Sequence, residues 1–273
     1  MVATFPAVAQ HLNVERWDSI EPPRRVRWPT ILKATAAIAL ALVAALVLLA
    51  LLRHHDTRSY SLSGPVERIV VAVDAGRVEI AGVPGKDARV VRSRSSFVGS
   101  PSATTQRVTG GLLRVIGVCP GGLVLRCRTD FRIEAPAGAI LEVTTGSADV
   151  AIEGMTSSVE VTSRDGSLRM RTLGGRSLVA KTESGSVSAV GVAATQVDVE
   201  ARRSVTLGLT KVADSVSVGT VKGPVDITIP DAPYKVKTDS AIGVVAVNVT
   251  QSPGARRSID VTAPEGDISV HAA

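Results

Sequence analysis

Three consecutive segments between Leu141 and Val192 share one alternation: LEVTTGSADVAIEG, VEVTSRDGSLRMRT and LVAKTESGSVSAVG. Each holds a short strand of alternating apolar and polar residues, a polar turn ending in Gly-Ser, and a second alternating strand. A period of two marks strands with one buried face. The glycines that end the turns set the frame: Gly146, Gly166, Gly185, Gly223, Gly243 and Gly266. The first two steps are twenty and nineteen residues, Gly185 to Gly223 spans two steps, and the last two are twenty and twenty-three. Arg203-Ser204 falls near the missing position. After the turns the apolar phase repeats as Val150/Ile152, Leu168/Met170, Val187/Ala189, Val205/Leu207, Val225/Ile227, Val245/Val247 and Ile268/Val270. Before them it repeats as Leu141/Val143, Val159/Val161, Leu178/Ala180, Val197/Val199, Val216/Val218, Tyr234/Val236 and Ile259/Val261.

A unit of about twenty residues cannot bury its own apolar face, so successive units stack and share a continuous core. Two strands and two turns per coil fit that length. Glycine at the turn suits positive φ or close coil-to-coil packing. The pattern predicts an all-β chain built as a β-solenoid. An antiparallel meander or β-sandwich also yields short alternating strands, but the near-constant period and phase favour the solenoid.

Upstream the pattern is looser. Val66 to Val83 reads as one strand–turn–strand unit, with its turn at Asp74-Ala75-Gly76. Residues 86–133 hold strand-like pieces at Arg89–Arg92, Leu112–Val118 and Leu123–Ile133, and a Ser/Thr-rich loop from Ser93 to Thr105. Cys119 and Cys127 flank the turn signal Pro120-Gly121-Gly122. An even, sparse cysteine count fits one disulfide, Cys119–Cys127, in an oxidising compartment. A tight three-residue turn would set Cys119 opposite Leu123, so that bond requires a wider loop.

Residues 34–52 are uncharged, ATAAIALALVAALVLLALL. As a helix they extend roughly 28 Å, close to the thickness of a bilayer's hydrocarbon. A signal peptide has a shorter apolar region and a small-residue cleavage site; here Arg-His-His follows. The segment reads as one transmembrane α-helix between a flexible tail, 1–33, and a polar linker, 53–65, with the repeat domain at 66–273. Five Lys/Arg precede the run and three follow it nearby. The positive-inside rule then puts the N-terminus in the cytoplasm and the repeat domain outside the cell membrane.

The recurring V-x-V-x-T-x-x-G-S-x-x-V pattern behind a single N-terminal anchor resembles the bacterial "putative adhesin" family of Gly-rich β-strand repeats, DUF4097. The resemblance runs from about Val66 to Val270. It implies a right-handed β-helix-like fold and an envelope location, and it brings no catalytic residues.

Aromatic residues make up 3% of the chain, which disfavours a ring-lined sugar cleft. No G-x-S-x-G, H-E-x-x-H or phosphate-cradling glycine loop occurs. The outer domain's histidines are His54, His55 and His271, too few to activate a nucleophile. Two cysteines without neighbouring histidines make a poor zinc site. No catalytic residue, metal or cofactor is expected, and no nucleic-acid partner. Charge adds one feature. Residues 86–132 carry nine Lys/Arg and two acidic residues, whereas 133–273 carry thirteen and sixteen. Coils stacked in chain order would set the basic stretch nearest the membrane. Arg126, Arg128 and Arg132 share one strand phase there and are candidates for contact with anionic lipid or an envelope polymer. The expected function is a non-enzymatic, membrane-anchored envelope protein presenting an adhesin-like binding surface. Two alternatives are a sensor signalling to a protein partner through its cytoplasmic tail, and a carbohydrate-active enzyme using carboxylate pairs such as Asp149/Glu153 or Asp165/Glu183.

Overall fold

The computed structural model describes residues 35–44, 47, 54–96, 102–108, 110–119 and 127–273. Two units divide the chain at Leu48/Leu49. In the first, residues 35–44 and Val47 are helical. Among the described residues no helix is long and apolar enough to cross a membrane. The remainder of the 34–52 run, and the tail 1–33, lie outside the described residues.

The second unit is all β. It begins with β1 (His54–Leu62), β2 (Arg68–Val83), β3 (Ala88–Ser96), β4 (Ser102–Val108), β5 (Leu112–Val118), β6 (Arg128–Pro136) and β7 (Ile140–Glu153). Six pairs of short strands follow: β8 (Val159–Ser163) and β9 (Leu168–Leu173), β10 (Ser177–Thr182) and β11 (Val187–Val192), β12 (Gln196–Ala201) and β13 (Val205–Leu209). The last three pairs are β14 (Ser215–Thr220) and β15 (Val225–Ile229), β16 (Lys235–Asp239) and β17 (Val245–Asn248), β18 (Ser258–Thr262) and β19 (Ile268–Ala272).

The first strand of each pair stacks in parallel on the first strand of another, and the second on the second. Leu178 pairs with Val159 on one side and with Val197 on the other. Val187 pairs likewise with Leu168 and Val205. The result is a β-solenoid with two faces. Face one runs β4, β5, the first half of β2, the first half of β7, then β8, β10, β12, β14, β18, β16. Face two runs β1, β3, β6, the second halves of β2 and β7, then β9, β11, β13, β15, β19, β17.

The apolar phase read from the sequence is the buried one except in β16 and β17, where Val245 is exposed and Val236 and Val247 are half-buried. Leu141, Val159, Leu178, Val197, Val216 and Ile259 line the core from one face, and Val150, Leu168, Val187, Val205, Val225 and Ile268 from the other. Burying each such side chain fully is worth about 1.5–3 kcal/mol. Tyr234, on that phase, is buried too, and its hydroxyl donates to the Pro230 carbonyl.

Corners between the faces explain the turn glycines. A Cβ on Gly185 would lie 1.8 Å from the Gly166 carbonyl oxygen, and one on Gly166 2.1 Å from that of Ala148. Close packing of successive corners is the reason for glycine there; of the six aligned glycines, only Gly223 also has positive φ. Buried hydroxyls hold the same corners. Thr182 donates to the Gly166 carbonyl and accepts from the Gly185 N–H, and Thr145 donates to the Ser163 hydroxyl. In β2 and β7 the strand continues through the corner, so the turn expected at Asp74-Ala75-Gly76 is a bend within one strand.

Coil order departs from chain order at both ends. β2 lies between β7 and the coil formed by β5 and β6. The last coil, β18–β19, slots between β14–β15 and β16–β17, so β16–β17 is outermost. Stacking in sequence order is therefore corrected. The segment read as a linker, 53–65, holds β1, paired antiparallel with β3 through nine residues. Its largely polar sequence lacks apolar alternation: Leu62 packs against the core, and charge holds the rest. Asp56 pairs with Arg92 at 3.6 Å and with Arg94, and Arg92 lies 5.4 Å from the centre of the Tyr60 ring. The Ser/Thr-rich loop likewise contains β4, an antiparallel edge on β5.

Candidate functional site

Outward side chains on face two follow from the register. One row reads Arg132, Glu79, Ala151, Arg169 across β6, β2, β7 and β9, and the next reads Glu134, Ala81, Glu153, Arg171. Strands lie about 4.8 Å apart, so Arg132 and Arg169 rise roughly 14 Å from one another. Between them the small side chains of Ala81 and Ala151 leave a floor. The outcome is an open groove of about 330 Å³, walled by Arg132 on one side and by Arg169 and Arg171 on the other, with Glu79 and Glu153 at its rim. All three arginines are exposed. Three guanidinium groups against two carboxylates leave a net positive site. Planar guanidinium forks suit carboxylate or phosphate oxygens.

Of the arginines singled out from sequence, Arg132 lines this groove. Arg128 lies on the same strand, four residues earlier, and is ion-paired to Asp130 at 2.9 Å; it borders a second hollow with Cys127, Ser147 and Asp149. Arg126 lies outside the described residues. Arg169 and Arg171 were missed. They belong to the acidic stretch, and the insertion of β2 and β7 between β6 and β9 brings them to Arg132. The doublet R-x-R on an outward phase was the one available signal.

Cys119 and Cys127 form a disulfide, with a Cα–Cα separation of 5.8 Å. It joins the end of β5 to the start of β6, at a corner where other coils use glycine. The Cys119 N–H donates to the Asp74 carboxylate at 2.8 Å.

The carboxylates considered for sugar chemistry are engaged separately. Asp149 accepts from the Ser167 N–H at 3.0 Å. Asp165 is held below the usual carboxylate range by a hydrogen bond from Ser184 and then by Arg164. Glu153 stands in register with Arg171. One other trio has a chemical look: the Thr228 hydroxyl lies 2.8 Å from Nε2 of His271, whose Nδ1 lies 3.5 Å from Asp226. Its His and Asp side chains are 41% and 54% exposed on an open sheet face. Solvated groups of this kind stabilise developing charge weakly compared with a dry, preorganised site.

Parallel coils and glycine corners define a β-solenoid, with a cationic groove on one outward face. Residues 125–273 match the Toastrack DUF4097 family, and the chain belongs to it. Solved structures with a similar path include a "putative cell adhesion protein" from Clostridium sporogenes, 14% identical, covering 81% of this chain and all of that one, with a TM-score of 0.40. A "putative adhesin" from Bacteroides fragilis is 15% identical, covers 81% and 97%, and has a TM-score of 0.43. A "putative lipid binding protein" from Parabacteroides distasonis is 12% identical, covers 81% and 97%, and has a TM-score of 0.41. No curated protein matches the chain.

Proposed function

We propose that the chain is a non-enzymatic envelope protein, anchored by a transmembrane helix at 34–52, whose outward solenoid holds anionic headgroups or envelope polymers. The cytoplasmic tail, the extracytoplasmic domain and the right-handed winding belong to this reading. The observation that carries it is the groove of Arg132, Arg169 and Arg171 over Ala81 and Ala151. Support for the anchor comes from the uncharged run and from its helical residues, where Ile38, Leu40, Leu42 and Val43 are all exposed. A helix that is apolar on every side suits lipid. Each basic side chain near an anionic surface adds about 1 kcal/mol, fading within a Debye length.

The test is co-sedimentation of a fragment beginning at His54, so that β1 is kept, with anionic and neutral vesicles and with an acidic polymer over a salt series. Binding should need ligand charge, weaken as salt rises, and fall at least tenfold when Arg132, Arg169 and Arg171 are all changed to Gln. Binding indifferent to charge, salt and these changes defeats the reading.

A further inference from the structure

The stack ends on β16 and β17, each paired along one edge only, with β18 and β19. The Lys235 N–H donates to Arg257 and the Asp239 carbonyl accepts from Ala263. Lys235, Lys237 and Asp239 therefore turn their backbone groups toward β18, and those of Val236 and Thr238 point off the end. Thr250 and Ser252 occupy the backbone groups of Tyr234, so the open edge starts at Val236. The core shows here as well. Val236, Val247 and Val249 are only partly buried against it, and Ile242 and Val244 are 74% and 72% exposed. A solenoid end that leaves its core partly open in this way needs a cover.

We propose that a second copy of this chain is the cover, by antiparallel pairing of β16 with its own equivalent about a two-fold axis at Lys237. The edge dictates the register. Val236 and Thr238 exchange hydrogen bonds with Thr238 and Val236 of the second copy, the hydrogen-bonded pairs of an antiparallel ladder. Lys235 then faces Asp239 of the second copy, and the contact occurs twice. Both side chains are exposed, and no ion pair among the described residues engages them. Lys237 meets its own equivalent, but its ammonium lies 3.7 Å from Asp260 of its own chain, which offsets the repulsion. A two-fold contact closes after one copy, whereas head-to-tail stacking would run on as a fibre.

The test uses the full-length chain. The described cysteines are both in the disulfide, so Lys237→Cys supplies a reporter thiol. In the proposed register its Cα lies about 4.5 Å from the second copy's, within disulfide reach. Mild oxidation should give a covalent dimer with K237C and little with K235C or D239C alone, whereas mixing the latter two should link them to one another. In sedimentation equilibrium Lys235→Asp should weaken the dimer about tenfold, since like charges then oppose twice, and adding Asp239→Lys should restore it. Circular dichroism checks that each variant keeps its strands. A wild-type chain that is monomeric at every concentration overturns the proposal. A dimer that neither links through K237C nor responds to the charge exchange overturns it too.

Discussion

At the scale of single residues, the corner glycines carry the clearest cost. Gly185→Ala forces a methyl carbon onto the Gly166 carbonyl, and neighbouring backbone on both sides prevents relaxation. Overpacking of this kind costs about 3 kcal/mol, read as a lowered midpoint in urea. Gly138→Ala is the control: nothing lies within 4 Å of its added carbon, and its stability should match the parent. The T-x-x-G spacing of these corners was visible in the sequence; at Thr182 it sets a hydroxyl to accept from the Gly185 N–H, and at Thr220 one to donate to the Gly223 carbonyl. The hold on β1 was not visible, since it depends on Asp56 meeting arginines of β3 more than thirty residues away. Hydrogen bonding from Arg94, and then the charge of Arg58, holds the Asp56 carboxyl below its ordinary value of 3.8. A lowered value means the folded state resists protonation. Its stabilisation is therefore present above about pH 4 and is lost as pH falls through the lowered value. Asp56→Asn should destabilise at pH 7, and the difference from the parent should shrink below pH 4 in paired denaturation curves. A difference that is constant with pH would remove the carboxylate from this role.

Among the elements, the strands were legible wherever apolar and polar residues alternate, from β7 to β19, although β16 and β17 bury that face only in part. The edge strands β1 and β4 were not, since polar residues can pair backbones at an edge without an apolar face. Coil order was also hidden. Every coil has the same phase, so β18 fits beside β14 as well as β16 does, and periodicity cannot choose between them. The groove was lost for the same reason: Arg132 reaches Arg169 and Arg171 only through β2 and β7. The observed order has a direct consequence on face one. Ser217 stands in register with Asp260, whereas chain-order stacking would set Ser217 beside Lys237. Parallel neighbours are close enough for a disulfide. S217C with D260C should link within one chain under mild oxidation, and S217C with K237C should not. Mass spectrometry of tryptic peptides reads the outcome, and the reverse pattern would restore sequential stacking.

For the whole molecule, the solenoid makes stability a sum of coils and of contacts between neighbouring coils. Strands β10 and β11 form one such coil, bounded by β8 and β9 on one side and by β12 and β13 on the other. Its neighbours present matching surfaces. Val159 and Val197 both pair with Leu178, and Leu168 and Val205 both pair with Val187. At the corner, the Gly185 carbonyl receives the Arg203 N–H, and Gly166, already free of a Cβ, can receive it instead. Removing Ser177–Thr195 should therefore bring β12 onto β8 and β13 onto β9 in the same phase, with the core continuous. The shortened chain should fold, unfold in one transition, and lose the salt-sensitive binding only slightly, because the groove on β6, β2, β7 and β9 is left whole. Removing the same length from a shifted start, residues 182–200, takes the second half of one coil and the first half of the next; Lys181 and Glu200 are register partners, so the joined chain stays in phase with one coil fewer and should also fold. Removing nine residues, 187–195, instead deletes one face of a coil and should abolish cooperative unfolding. Circular dichroism and urea titration of the three deletions test the repeat as the unit of stability. If all three collapse alike, the coils are not interchangeable and the domain folds as one indivisible body.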